Sequence, residues 1–364
     1  MGLFKRTRQV DIFFVGCDGT DLDRGIYSFY IDVNNGEIIK KQFVKSLANP
    51  ISLSTNGRFV NITYRNGSGR VSDGGVWQYA CMELQLGLTA RASNEGKTYI
   101  KTVTNEERTR CYAIDYYNGE LCTLKIVRSK IVDFYKECYK LTGSSVDPIK
   151  QTESHPSDIL FTPDHKKLVV LDTGGDEIVL FDFDENGLPV KDEEHSFKVT
   201  PGSGPKKMIF NSKGTYAYVI NEISSMIDVY KYENCTFTKV QELLSYLTEE
   251  FSGENTPTDI LIDSIDRYVL VTNKGDDTLV VFAVNPDDGT IERVDCIETD
   301  EGPRCMEIFR DRWVIVASKL AGTVESFEIK EKERKGIIFE THSSFALHGP
   351  VCTYKGKEDL RVVT

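Results

Sequence analysis

The chain predicts an all-β fold, a seven-bladed ring of four-stranded blades, on three observations. A turn-and-strand signature recurs in one register, a period-two hairpin follows it, and a unit left incomplete at the start of the chain is completed at its end.

The signature reads NGRFVNITY (56–64), EGKTYIKTV (95–103), DHKKLVVLD (164–172), KGTYAYVIN (213–221), DRYVLVTN (266–273) and DRWVIVAS (311–318). With Gly57, Gly96, His165, Gly214, Asp266 and Asp311 taken as equivalent, the successive spacings are 39, 69, 49, 52 and 45 residues, each near one blade except the 69, which requires an insertion. Gly, Asn, Asp and His are the residues that a left-handed turn position accepts most readily.

Behind the signature come alternating strands closed by polar turns, as in DEIVLFDFDENGL (176–188), SMIDVYKYEN (225–234) and DTLVVFAVNPDDGTI (277–291), which is hairpin chemistry. Ahead of it stand LANPISLS (47–54), SHPSDILF (154–161), PGSGPKKMIF (201–210), NTPTDILI (255–262) and GPRCMEIF (302–309), read as the innermost strands. VDIFFVGC (10–17) and RGIYSFYIDVNNGEI (24–38) have no leading strand, whereas LHGPVCTY (347–354) leads nothing. Pairing the two ends closes the ring and removes its open edges. The expectation is one propeller domain over residues 1–364.

Apolar residues make up 40% of the 364 and no run approaches the ~20 residues of a membrane span. The N-terminal MGLFKRTRQV has no signal-peptide core, so a cytoplasmic protein without a membrane partner is expected. Nine cysteines without a CxxC pair or a Cys/His cluster read as reduced thiols, with no disulfide framework and no metal site. A net charge of −12 argues against nucleic-acid binding. A monomer is expected, with pairing through outer strands left open. The sequons at Asn61, Asn66 and Asn234 carry no weight without a secretion signal, and EIKEKERKG (328–336) reads as a solvated edge hairpin.

Within the long spacing, residues 128–153 place Ile131, Phe134, Tyr135, Cys138 and Leu141 at intervals that suit a short amphipathic helix. The segment reads either as a lid over one mouth of the channel or as packing on the outer rim.

PGSGPKKMIF, YVINE (218–222), SGENTPTDI (252–260), TNKGDDTLVVFAVN (272–285), GPRCMEIF and HGPVC (348–352), in this order and spacing, resemble the seven-bladed lactonase family over nearly the whole chain. That family includes propeller-type 6-phosphogluconolactonases and carboxymuconate lactonizing enzymes. The resemblance implies a site at one channel mouth built from a His of an HxH motif, an Arg after GSGP, the Glu of INE and an Arg after a strand-ending Asn. The matching positions are His155, Lys206, Glu222 and Lys274. Both arginines have become lysines, Ser157 replaces the second His, and Lys207 stands where a His usually follows the GSGP Arg.

Lys offers a compact charge where Arg offers a planar fork, so substrate and chemistry are open to a shift. Lys206, Lys207, Lys274 and Arg304 still form a positive focus in an acidic chain, suited to an anionic small molecule. Lactone hydrolysis needs a base for water, a group to hold the oxyanion and an acid for the leaving alkoxide. Glu222 is assigned as base, Lys206 and Lys274 as clamp and oxyanion stabilisers, His155 as acid or orienting donor, and Lys207 and Arg304 as substrate-binding. No cofactor is required. The leading reading is a lactonase acting on 6-phosphogluconolactone or a related anionic lactone. The alternatives are a lactonizing or cycloisomerase-type lyase and a non-catalytic binding propeller. Asp158 and Asp259, at matching positions of two repeats, read as structural acceptors, and the remaining histidines form no constellation.

Overall fold

The computed structural model describes residues 7–18, 24–55, 59–68, 71–82, 85–246, 251, 253–331, 337–356, 358 and 360–363. Gly57 and residues 332–336 of the charged hairpin lie outside them.

Seven antiparallel sheets follow one another around a ring. Blade 1 is Pro50–Thr55, Phe59–Ser68, Val71–Met82 and Gln85–Asn94. Blade 2 is Tyr99–Thr104, Arg110–Asp115, Glu120–Val127 and Lys130–Phe134, with Tyr139–Lys140 added at the edge. Blade 3 begins with Pro156–Phe161 and Leu168–Asp172, blade 4 with Pro205–Phe210 and Tyr216–Asn221, blade 5 with Thr256–Ile262 and Tyr268–Lys274, and blade 6 with Pro303–Phe309 and Trp313–Ser318. Blade 7 joins the C-terminal Pro350–Lys355 to Thr7–Cys17, Gly25–Asp32 and Ile38–Lys45. The register Phe13↔Lys355 to Cys17↔Pro350 is the expected closure of the ring. Each inner strand lies against those of the neighbouring blades, and that of blade 7 lies against that of blade 1.

The core is divided among the blade interfaces. One cluster joins Phe13, Phe29 and Trp313 between blades 6 and 7, another Ile220, Val271 and Phe282 between blades 4 and 5, and seven such clusters complete the circle. Burying each such side chain contributes roughly 1.5–3 kcal/mol. The polar turns seen in the sequence seal these interfaces. Gly36, at φ 69°, lies so close to the Trp313 ring that any Cβ would clash, while the indole Nε1 donates to Val33 O at 3.0 Å.

Two expectations are corrected in blade 2. EGKTYIKTV is its inner strand, not its second; the equivalent turn is 105–110, where Arg108 takes the left-handed conformation at φ 55°. Arg108 stands 57 residues before His165, so the apparent 69-residue gap becomes an ordinary blade. His165, Gly214, Asp266 and Asp311 are left-handed as expected, at φ 57°, 65°, 59° and 51°. Residues 131–141 form no helix. Ile131 faces the core while Val132 and Asp133 face solvent, in a strand that pairs with Glu120–Val127 and bulges at Val132.

The cysteine reading is also corrected. Cys122 and Cys138, 16 residues apart, form a disulfide because the edge of blade 2 folds back onto its third strand. No helix among the described residues is long and apolar enough to cross a membrane.

Candidate active site

In every blade the ladder between the inner and second strands skips one residue near the start of the inner strand. The skipped residues are Ile51, Ile100, Ser157, Lys206, Thr258, Arg304 and Val351. A bulge of this kind re-aims a side chain and ends regular pairing. The second strands finish at the same mouth, and the next residue closes each corner: Glu222 N donates to Gly204 O at 2.7 Å, Thr173 N to His155 O at 3.1 Å and Lys319 N to Gly302 O at 2.8 Å. Tyr116 and Lys274 hold the matching places in blades 2 and 5. The mouth is thus lined by two sets of equivalent positions, one on bulges and one on corners.

Lys206 and Glu222 come from these two sets in blade 4 and meet, Nζ to Oε2, at 2.8 Å, with side chains 15% and 24% exposed. Blade 3 fixes the loop that carries Lys206. Asp176 accepts from Gly202 N at 2.6 Å and Gly204 N at 2.7 Å, while Ser157 Oγ and Thr173 Oγ1 donate to Pro205 O at 2.9 and 2.7 Å. Gly204 has φ 66°, and a Cβ there would stand 2.7 Å from Ile223 Cγ1, which explains the GSGP sequence.

Lys206 beside it holds the Glu222 carboxyl below its ordinary pKa despite burial, and Lys150 and Arg304 act in the same direction. Burial lowers the Lys206 ammonium; Glu222 opposes this, and Arg304 and Lys150 add to it. Arg304 is exposed on the bulge of blade 6. Lys150 reaches over from the segment after blade 2, its Nζ 3.9 Å from Glu222 Oε1.

His155 is nearly buried. Its ring stacks on Tyr116 with centroids 4.7 Å apart, and Nδ1 lies 3.1 Å from Tyr116 O. A carbonyl only accepts, so this hydrogen bond places a proton on Nδ1. Burial, with Glu222 second, pushes the Tyr116 hydroxyl up to about 12, so it keeps its proton at neutral pH.

The two remaining lysines stand apart from this group. Lys274 is exposed on the blade 5 corner and makes no ion pair among the described residues. Lys207, beyond the bulge, returns to the ladder opposite Ile220 and pairs with Asp259 of blade 5. Lys101 pairs with Asp158 in the same way, and the second oxygens of Asp158 and Asp259 accept from Met208 N and Met306 N of the following blades at 3.0 and 2.9 Å. Both aspartates therefore stitch three blades together. Burial opposes the Lys207 charge, but Asp259, with Asp158 and Glu307, holds the ammonium above its ordinary pKa. Below this layer, burial pushes Glu307 up to about 7, with Asp259 adding and Lys207 opposing.

Tyr116, Lys150 and Glu307 escaped the sequence reading. Tyr116 was findable as the residue after the second strand of blade 2, had that strand been placed correctly. Lys150 carries no local signal. A cavity of about 360 Å³ opens at the root of its segment, lined by residues 140–144 and 152–154 next to His155, but not by Glu222 or Lys206. Among the described residues one grouping of metal-ligand type occurs, Glu120 with Cys122 and Cys138, whose sulfurs are bonded to each other.

Comparison with known proteins agrees with this architecture. The chain is 25% identical over 348 residues to a 6-phosphogluconolactonase of Bacillus subtilis, covering 94% of this chain and 97% of that one. It is 24% identical over 342 residues to an uncharacterized protein of Staphylococcus saprophyticus, covering 87% and 95%. The structure of a periplasmic gluconolactonase from Pseudomonas aeruginosa superposes with a TM-score of 0.86 at 20% identity, covering 96% and 99%. The family model "Lactonase, 7-bladed beta-propeller" matches residues 12–354, and the chain belongs to that family.

Proposed function

We propose that this protein hydrolyses an anionic sugar lactone at the mouth around Glu222, with 6-phosphogluconolactone as the leading substrate. The observation that carries this reading is the Lys206–Glu222 pair at 2.8 Å, nearly withdrawn from solvent and set among further cations. The activity of the Bacillus subtilis relative supports the substrate class.

In this reading water adds to the lactone carbonyl carbon as Glu222 takes its proton. Lys206 and Arg304 hold the developing oxyanion. The ring C–O bond then breaks, and the alkoxide takes a proton from the Tyr116 hydroxyl, which solvent restores. His155 holds the Tyr116 ring in place, and Lys274 adds positive charge at the rim. A carboxylate kept below its ordinary pKa is ionised at neutral pH but is a weak base. Substrate resolves this conflict: an anion that engages Lys206 draws the ammonium away from Glu222 and raises its basicity when the water is in place.

The test is hydrolysis of freshly generated 6-phosphogluconolactone above the spontaneous rate, with Glu222→Gln as control. Loss of about two to four orders of magnitude in kcat with the fold intact is expected. A specific observation favours a binding-only propeller as the second reading: Ser157, in place of the second His, is spent on holding Pro205. Absence of turnover by the unaltered protein would select that reading.

A further inference from the structure

We propose that Lys150, carried across the rim by the segment after blade 2, anchors a phosphate or carboxylate group of the ligand remote from the lactone carbonyl. The identification of the ligand as a lactone rests on the reading given above.

Three cations, Lys150, Lys206 and Arg304, act on the single carboxylate of Glu222. Lys206 already engages Oε2 at 2.8 Å. Lys150 stands 3.9 Å from Oε1, beyond hydrogen-bond reach, so its charge bears on the site while its ammonium makes no hydrogen bond among the described residues. The three cations around Glu222 therefore outnumber the one carboxylate they act on, in a chain of net charge −12. That excess calls for an anion, and a compact ammonium with three rotatable donors suits a phosphate.

The backbone beneath Lys150 is held firmly. Asp147 Oδ1 accepts from the amides of Ile149 and Lys150, both at 2.8 Å. Gln151 is fully buried, with Nε2 donating to Thr173 O at 2.9 Å and the backbone O accepting from Ser145 N at 2.9 Å. Thr173 is a corner residue of the mouth itself, so the segment is tied to the rim between blades 3 and 4. Val146 reaches over to Gly202 in the loop that presents Lys206. The Lys150 side chain, 49% exposed, is left free to swing from this fixed base onto a ligand. Ile149 beside it is 84% exposed, an apolar surface facing outward from the rim segment.

The experiment compares 6-phosphogluconolactone with glucono-δ-lactone in the unaltered protein, Lys150→Met, Lys150→Arg and Lys166→Met. Lys166 is an exposed lysine on a turn at the opposite end of blade 3, so its variant controls for loss of one positive charge. One lost charge-assisted contact corresponds to about a 10-fold effect or more. The ratio of kcat/KM for the phosphorylated over the neutral lactone is expected to fall by that factor in Lys150→Met, mainly through KM, and to be largely retained in Lys150→Arg. An unchanged ratio in Lys150→Met, or an equal fall in Lys166→Met, overturns the assignment.

Calorimetric binding of 6-phosphogluconate and gluconate separates this inference from the lactonase reading. If the protein hydrolyses neither lactone but binds 6-phosphogluconate in a Lys150-dependent way, the lactonase reading fails and the anchor stands. If 6-phosphogluconate binds equally well to Lys150→Met, or does not bind at all, the anchor fails whatever the turnover.

Discussion

Blades 3 and 5 differ from blades 4 and 6 at one backbone position. All four bulge after the first residues of the inner strand. In blades 3 and 5 the bulged residue is Ser157 or Thr258, whose hydroxyl donates to Pro205 O or Pro303 O of the next blade at 2.9 Å. In blades 4 and 6 it is Lys206 or Arg304, and the charge bears on Glu222. At the position following the bulge, blades 3 and 5 carry Asp158 and Asp259, which bridge neighbouring blades and pair with Lys101 and Lys207. From blade 3 to blade 6 one repeated distortion therefore serves assembly and the mouth in turn, and the side chain alone decides which. It also separates adjacent residues: Lys206 belongs to the mouth and Lys207 to the stitching.

The largest test of that division sets Glu222→Gln against Asp259→Ala. The first is expected to abolish most turnover without moving the melting temperature. The second leaves Lys207 in the channel without its partner and Met306 N without its acceptor, and is expected to lower stability by about 3 kcal/mol in urea titration. The protein that remains folded should keep its kcat. A stable Asp259→Ala with defective turnover would place Lys207 in the site and erase the distinction.

A smaller effect is expected from Glu307. Its carboxyl has a folded pKa of about 7 against an ordinary value of 4.5, so between those values the folded state holds the proton that the unfolded state has lost. Its contribution is present below the ordinary pKa and is lost as pH rises through 7, the opposite of a salt-bridged carboxylate. Chemical denaturation from pH 5 to 8 should show Glu307→Gln gaining on the parent protein by roughly 2–3 kcal/mol as pH rises, since one pKa unit corresponds to 1.36 kcal/mol. Parallel profiles for the two proteins would show that the Glu307 carboxyl is not raised in the folded state.

The smallest effect is expected at the clamps. Thr258→Val removes the hydroxyl that spans blades 5 and 6 and should cost about 1 kcal/mol, read as a shift in the denaturation midpoint. The altered position lies on a bulge equivalent to Lys206, so a large fall in kcat/KM would show that the clamp blades take part in the chemistry.

Much of this was legible because a propeller repeats. Inner strands announce themselves by Pro and small residues, turns by Gly, Asp and His, and the closing strand by its lack of a blade. Blade 2 was misread because Gly96, itself left-handed at φ 69°, imitates the signature, whereas the true turn gives that conformation to Arg108, a residue type that rarely adopts it. The false helix over residues 131–141 arose because a short apolar run fits both periods, and cross-strand pairing decided the matter.

By itself the sequence determined the number of blades, the joining of the chain's ends and the candidacy of Glu222, Lys206 and His155. The first two follow from local turn chemistry and period-two alternation, and the third from the resemblance of contiguous motifs to those of the lactonase family. Only the tertiary structure decided that Lys206 and not Lys207 meets Glu222, that Tyr116 and Lys150 join them, and that Cys122 bonds Cys138. Each of those depends on a bulge, a ring closure or a crossing segment that brings together residues far apart in sequence, and no local pattern encodes such distances.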